Sequence, residues 1–314
     1  MNKFLPKLAI ISPVYNEDLL IQKSANKLIN VLDDLIKKFK ISEQSFIYFV
    51  DDGSGDNSWN LISNMHKQDS RIKALKLSRN FGHQNAILGG LLNAKDKADC
   101  FITIDSDLQD DILVIEKFID AHKNGYDIVC GLKENFRRDS IYKKYGNKIF
   151  YYLMKLFGAP IIDNHADFRF ASKKVINTLS EFSEVNLFLR GIFQDLGFKT
   201  KTISYQIKER TAGESKYSFK KLISLAIDGI SSFSIIPLRI IMLVGFVLFL
   251  CAIMVLIFVL TKLIASSTLT WLIFVALLVG SLQIISIGIA SEYIGKIYKE
   301  TKNRPRFIKD IELW

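Results

Sequence analysis

From Ile240 to Leu260 the chain runs 21 positions without a charged side chain, and an α-helix of about 20 apolar residues is what crosses the hydrocarbon core of a bilayer. Lys262 interrupts the run, and a second uncharged stretch follows from Leu263 to Ser291, with Leu269 to Ala290 as its apolar centre. A pair of helices buried in a large soluble core is the bland alternative, but such helices rarely hold so long an uncharged run twice in succession. Residues 235–292 are therefore expected to form a transmembrane hairpin. Lys216, Lys220, Lys221 and Arg239 precede it, and Lys296, Lys299, Lys302, Arg304, Arg306 and Lys309 follow it, whereas the connecting loop has only Lys262. Basic flanks stay on the cytoplasmic side. Met1 to Lys7 leads straight into a β-like run without a long apolar h-region. The expectation is a multi-pass protein of the cytoplasmic membrane with both termini in the cytoplasm.

The residues before about Ser234 mix charged and apolar side chains in soluble proportion, and 314 residues at 49% apolar composition suffice for a full α/β core besides the spans. Cys100, Cys130 and Cys251 sit singly in apolar runs, without the close spacing of zinc or redox motifs, and read as reduced core residues. The net charge of +10 is interleaved with helices and spans. An anionic membrane surface or phosphate substrates account for it better than nucleic acid does.

Along the first half, short β-type runs alternate with helical segments, the pattern of a largely parallel sheet covered by helices. Strands are expected at Leu8–Ser12, Phe46–Val50, Ile72–Leu77, Cys100–Ile104 and Asp127–Gly131, and helices near Leu19–Phe39, Ser58–Gln68, Gln84–Ala94 and Ile112–Lys123. Pro13–Glu17, Asp51–Ser54, Ser78–His83 and Asp105–Asp111 each follow one of these strands. Open α/β sheets bind their ligands at that edge. A single Asp-Gly-Ser turn is more often structural than functional, but four polar clusters along one edge are not expected by chance. Phe219, Leu222, Ile223, Ala226, Ile230 and Phe233 recur at helical spacing just before the spans, which suits a helix over residues 217–234 lying in the membrane interface. Packing of that face on the soluble domain is the alternative.

Asp105-Ser106-Asp107 places two carboxylates at a strand terminus with little nearby to neutralise them. Mg2+ or Mn2+ prefers hard oxygen ligands and binds through one or two carboxylates plus substrate phosphates, so the pair suits a nucleoside diphosphate site.

Pro13-Val14-Tyr15-Asn16-Glu17, Asp51-Asp52-Gly53-Ser54, Ser78-Arg79-Asn80-Phe81-Gly82-His83-Gln84 and Asp105-Ser106-Asp107-Leu108-Gln109-Asp110 resemble the ordered motifs of family 2 inverting glycosyltransferases with the GT-A fold. Within that family the chain is similar to the dolichol-phosphate-mannose-synthase-like and bactoprenol glucosyltransferase proteins. The resemblance extends through Asp167-Phe168-Arg169, Phe188-Leu189-Arg190-Gly191, Arg210 to Tyr217 and the two spans. It implies that Pro13, Tyr15, Asn16, Glu17 and Asp52 contact the nucleoside, with Asp105 on the diphosphate side and Ser106 also among the nucleotide-sugar-binding residues, and that Asp105, Asp107 and Gln109 hold Mg2+ or Mn2+. Arg210 and Lys216 would close on the donor diphosphate as loop cations, with Gly213 as a hinge. Lys133, Lys143 and Asn147 match positions that grip an acceptor phosphate; the alternative for this basic stretch, which also holds Arg137, Arg138 and Lys144, is a solvated helix face. Asp167 matches a position sometimes assigned as catalytic base, but it could equally orient sugar hydroxyls or pair with Arg169. His83 and His165 stay outside the catalytic set, since a lone histidine near a motif is more often structural. The family often has proline after Gln-Asp, where this chain has Asp111.

The expected protein is thus a GT-A domain over residues 1–216, an interfacial helix over 217–234, two transmembrane helices over 235–292 and a basic cytoplasmic tail over 293–314. Its expected reaction is metal-dependent, inverting transfer of a hexose from a nucleoside diphosphate sugar, UDP-glucose or another UDP-hexose, to undecaprenyl phosphate. The paired spans offer a surface for self-association. Rival readings are a processive polysaccharide synthase, for which the Gln-x-x-Arg-Trp motif and further spans are missing, a non-catalytic glycolipid-export module, and a transferase acting on pre-assembled glycans.

Overall fold

The computed structural model describes residues 5–134, 165–184, 188–206, 247 and 268–314. Its first half follows the expected alternation: β1 (Leu8–Val14), α1 (Ile21–Lys37), β2 (Phe46–Asp51), α2 (Ser58–Gln68), β3 (Ile72–Leu77), α3 (His83–Ala94), β4 (Cys100–Thr103), α4 (Val114–Lys123) and β5 (Ile128–Lys133). Beyond these come β6 (His165–Ser172), α5 (Lys173–Glu181), α6 (Leu189–Asp195), β7 (Thr200–Tyr205), α7 (Thr268–Thr301) and β8 (Lys309–Leu313).

The eight strands form one sheet in the order β7-β5-β6-β4-β1-β2-β3-β8. β1 pairs in parallel with β2 and β4, β2 with β3, and β5 with β7, while β6 runs antiparallel to β4 and β5 and β8 antiparallel to β3. The result is an α/β domain built on a mixed, mostly parallel sheet.

Strand alternation divides the core into two layers. Leu8, Ile10, Ile47, Phe49, Phe168 and Phe170 pack against Leu28, Ile62 and Phe118 of α1, α2 and α4. Ala9, Ile11, Tyr48, Val50 and Phe101 face the other way, onto Leu88 of α3, Ile176 of α5 and Phe193 of α6. β1 and β2 are buried along their whole length, as central strands covered on both faces must be. In α1, Ile21, Ala25, Leu28, Leu32 and Leu35 form one buried stripe, and each of its Ile and Leu side chains contributes roughly 1.5–3 kcal/mol on burial. Cys100 and Cys130 are buried free thiols.

The C-terminal segment departs from expectation. Sequence alone leaves residues 293–314 as a basic tail, but α7 continues to Thr301 and Lys309–Leu313 becomes an edge strand on β3. Its Trp314 ring stacks on Tyr48 with centroids 4.9 Å apart. Glu312 accepts hydrogen bonds from Tyr48 Oη at 3.1 Å and from Asn93 Nδ2 at 3.0 Å. Ser78 N, just past β3, donates to Ile308 O at 3.0 Å. The strand's alternating charges hide it in sequence, and the same charges suit an edge that must not pair with another chain.

Within α7, Leu278–Thr301 is long and apolar enough to cross a membrane by length and composition. Trp271, Leu272, Ile285, Ile287, Ile294 and Ile297 are exposed along this helix. The first expected span apart from Val247, the interfacial helix, and Arg210, Lys216, Lys143 and Asn147 lie outside the described residues.

Candidate active site

The loops after β1, β2 and β3 are tied to one another by hydrogen bonds from the motif residues. Pro13 and Val14 end β1 opposite Val50 and Asp51. Asn16, at a φ of 54°, donates its N–H to Ser54 Oγ at 3.0 Å and accepts at Oδ1 from Gly55 N at 2.9 Å. Glu17 N donates to Ser58 Oγ at 2.9 Å, at the start of α2. Tyr15 stays 42% exposed at the mouth of this loop cluster. Asp52 accepts from Phe81 N at 2.7 Å and from Gly82 N at 2.9 Å, one on each carboxylate oxygen. Desolvation pushes the Asp52 carboxyl up, against the pull of those two donors. Asp52 therefore pins the Ser78–His83 loop, whatever else it contacts. Gly53 makes the crossing feasible: at a φ of 67° it passes so close to the loop that an added Cβ would lie 2.4 Å from the backbone carbon of Arg79.

After β4 the chain turns sharply. Leu108, at a φ of 46°, donates its N–H to Asp105 O at 3.2 Å, and Gln109 N donates to Asp107 Oδ1 at 3.2 Å. Ser106 is buried, and its carbonyl accepts from Ser24 Oγ of α1 at 2.6 Å. The carbonyl of Asp111 accepts from Val114 N at 3.0 Å, just before α4.

Facing this turn, β6 contributes a carboxylate that is only 10% exposed and has several cationic partners. Asp167 Oδ1 lies 2.8 Å from Arg169 Nη2 and 3.2 Å from Arg190 Nε, and Oδ2 lies 3.0 Å from Arg190 Nη2. His83, the first residue of α3, places Nε2 3.3 Å from Asp105 Oδ1 and 3.6 Å from Asp167 Oδ2. Desolvation opposes ionisation of Asp167, but Arg190, His83 and Arg169 outweigh it and hold the carboxyl well below the usual carboxylate range. Desolvation also works against the His83 imidazolium, and the carboxylates of Asp167 and Asp105 reverse that, raising His83 to about 9. On the other side of the turn, buried Asp110 accepts from Tyr205 Oη at 2.6 Å and pairs with Lys133 Nζ at 3.0 Å.

These contacts define what the edge can do. A carboxylate held as tightly as Asp167 is a weak proton acceptor and a good positioner of cations. Burial pushes the Asp105 carboxyl up, although His83 and Lys133 pull against it. Beyond the ion pair with His83, Asp105 Oδ1 is buried without a hydrogen-bond donor among the described residues. A hard oxygen in that state suits a divalent cation. Among the described residues no three His, Cys, Asp or Glu side chains converge on one point. Asp105 and Asp107 would thus supply two carboxylates and leave the remaining positions to substrate, the usual arrangement for Mg2+.

Asp105, Asp107, Gln109, Asp167 and Lys133 are gathered on one sheet edge, and Pro13, Tyr15, Asn16, Glu17 and Asp52 line the loops beside them. Sequence reasoning left out His83, which joins two carboxylates of the site. It also gave no role to Arg190, Asp110 or Tyr205. For His83 and Asp110 the signal was membership of the polar runs that follow the strands, for Arg190 it was the Phe188-Leu189-Arg190-Gly191 stretch of the family resemblance, and for Tyr205 there was none.

Residues 9–180 match the profile described as Glycosyl transferase family 2. The glycosyltransferase YkoT of Bacillus subtilis, called uncharacterized, is 43% identical over 100% of this chain and 94% of its own length. The SfII prophage-derived bactoprenol glucosyl transferase of Shigella flexneri is 34% identical over 96% of this chain and 97% of its own. Among solved structures, the Pyrobaculum calidifontis mannosyltransferase PcManGT, in complex with GDP-Man and Mn2+, matches 96% of this chain and 89% of its own at 12% identity and a TM-score of 0.49. The profile match across the motif-bearing sheet and the full-length relatives together mean that the chain belongs to glycosyl transferase family 2.

Proposed function

We propose that this glycosyltransferase moves a hexose from a UDP-sugar onto undecaprenyl phosphate, with inversion, at the cytoplasmic face of the membrane. The observation that carries the reading is the pairing of a metal-suited carboxylate turn with a cation cluster on one edge of the sheet. The full-length likeness to a protein named as a bactoprenol glucosyl transferase supports the choice of acceptor.

In this reading the uridine lies against Pro13, Tyr15, Asn16, Glu17 and Asp52, and the diphosphate lies beside Asp105 and Ser106. Asp105 and Asp107, with the neutral amide of Gln109, would hold Mg2+ or Mn2+. Bound there, the ion neutralises charge on the departing diphosphate. The described side chains alone leave little positive charge over for the diphosphate, because His83, Lys133, Arg169 and Arg190 already face Asp105, Asp110 and Asp167. Arg210 and Lys216 would add cations over the donor. Lys133, Lys143 and Asn147 would receive the lipid phosphate.

No general base is required. A phosphate monoester has a second pKa of about 6 and is largely dianionic at neutral pH, so its oxygen attacks the anomeric carbon directly while the bond to the β-phosphate oxygen breaks and its electron pair leaves with UDP. Attack from the face opposite the leaving group inverts the anomeric centre. Asp167 then serves to hold Arg190 and His83 in place around the sugar, a positioning role consistent with its strong ionisation.

The test is transfer of radiolabel from a panel of UDP- and GDP-sugars into an organic-extractable lipid by the purified chain, with undecaprenyl phosphate and either Mg2+ or Mn2+. Label from one UDP-sugar in a mild-acid-labile lipid is the expected result. No label from any donor, with folded protein and both metals, would overturn the choice of acceptor.

A further inference from the structure

Lys133 ends β5 as one of several cations near the site, but its surroundings set it apart. Its ammonium lies 3.0 Å from Asp110 Oδ1, and the Asp110 side chain is only 2% exposed. The same oxygen accepts from Tyr205 Oη at 2.6 Å. Tyr205 is the register partner of Lys133 in the parallel β5–β7 pair, and its carbonyl accepts from Glu134 N at 3.0 Å. Gly131, on the same face of β5 as Lys133, leaves the space the phenol ring occupies: an added Cβ there would lie 2.7 Å from Tyr205 Cε1. Phe168 packs edge-on against the same ring, with centroids 5.5 Å apart. Three segments far apart in the chain thus meet on one carboxylate oxygen at the end of the Asp105–Asp110 turn.

We propose that Asp110, braced by Tyr205, is the positioning residue that fixes Lys133 as the cation for the acceptor phosphate and locks it to the metal-bearing turn. The inference rests on the reading of Lys133 given under the proposed function. One of the three ammonium protons goes to Asp110, and the other two are left for a phosphate. A lysine is long and flexible, and ordering it at the moment of binding weakens affinity. Here the ordering is done by folding. Because Asp110 ends the same turn that carries Asp105 and Asp107, that one turn sets the spacing between the donor diphosphate and the acceptor phosphate.

The experiment measures binding of a short-chain prenyl phosphate and, separately, of UDP with Mn2+ by the purified full-length chain and its variants, so that the result does not depend on turnover. Lys133→Ala and Asp110→Asn are both expected to weaken the prenyl phosphate about tenfold and leave UDP within about twofold. Asp110→Asn added to Lys133→Ala should weaken it no further, since Asp110 acts through Lys133. Tyr205→Phe, which removes a single hydroxyl, is expected to weaken prenyl phosphate about threefold, and it carries the test if Asp110→Asn does not fold. Weakening by Lys133→Ala but not by Asp110→Asn or Tyr205→Phe would overturn the positioning role and leave the acceptor reading intact. No effect of Lys133→Ala would overturn both. An equal loss of UDP binding in Asp110→Asn would reduce Asp110 to a general structural residue.

Discussion

The two halves of the sheet edge solve the same problem with different forces. Around β1, β2 and β3, polar motif residues are consumed in neutral or singly charged hydrogen bonds between loops: Asn16 to Ser54 and Gly55, Glu17 to Ser58, Asp52 to Phe81 and Gly82. Around β5, β6 and β7, charge is set against charge, with Asp167 between Arg169 and Arg190 and Asp110 beside Lys133. Under the proposed function, the first half would receive an uncharged base and ribose. The second keeps cations at fixed points, which is what phosphates and a reacting sugar need.

The largest effect that separates the halves is expected from Asp167→Asn. It leaves the buried Arg169 guanidinium without its counter-charge, and loss of one member of a buried pair costs about 3–5 kcal/mol. Chemical unfolding of the solubilised chain measures this, and a loss no greater than that of Asp52→Asn would dissolve the distinction between the halves. On the hydrogen-bonded side, Gly53→Ala is expected to cost roughly 2–3 kcal/mol, because the backbone is both left-handed and in contact with Arg79. Its melting temperature should fall, and a wild-type value would mean that the loops are free to separate. Asp52→Asn keeps one acceptor for two N–H groups and is expected to cost about 1–2 kcal/mol, with a raised KM for nucleotide-sugar and an unchanged KM for the lipid. The reverse pattern would assign the Ser78–His83 loop to the acceptor side.

The smallest effect comes from His83, where the halves meet. Its pKa rises from 6.5 unfolded to about 9 folded. Its stabilisation is therefore complete below pH 6.5 and is lost as the pH climbs to about 9. The ring is 42% exposed, so the contribution stays under about 1 kcal/mol. In metal-free buffer the gap in melting temperature between wild type and His83→Asn should narrow across that range. A gap that does not vary with pH would show that the imidazole is neutral in the site.

Legibility from sequence follows the same division. Each strand from β1 to β4 is closed by a polar motif, and for β1 to β5 the expected and observed limits differ by two residues or fewer. β6 carries the opposite pattern: Phe168 and Phe170 alternate with Asp167 and Arg169, which in isolation reads as a half-exposed strand. Here the charged face is also buried, because Arg169 lies over Phe193 of α6 at 4.5 Å and pairs with Asp167. No local signal predicts that. Asp110 and Tyr205 stand 95 positions apart, so their contact is a property of topology alone. β8 is hidden for a further reason: its partner strand lies more than 200 residues upstream.

The return of β8 to the sheet also sets a length. Eight Cα steps separate Thr301, the end of α7, from Lys309, so the leash between them reaches at most roughly 28 Å. Because β8 runs antiparallel to β3 and begins beside Leu77, the leash joins the domain at the ligand-binding edge. For a chain anchored in a bilayer through α7, the acceptor search is then confined to a thin shell above the headgroups. Under the proposed function, a lipid acceptor that diffuses only within the membrane plane would meet the site at a high effective concentration, and a modest intrinsic affinity for its phosphate would be enough.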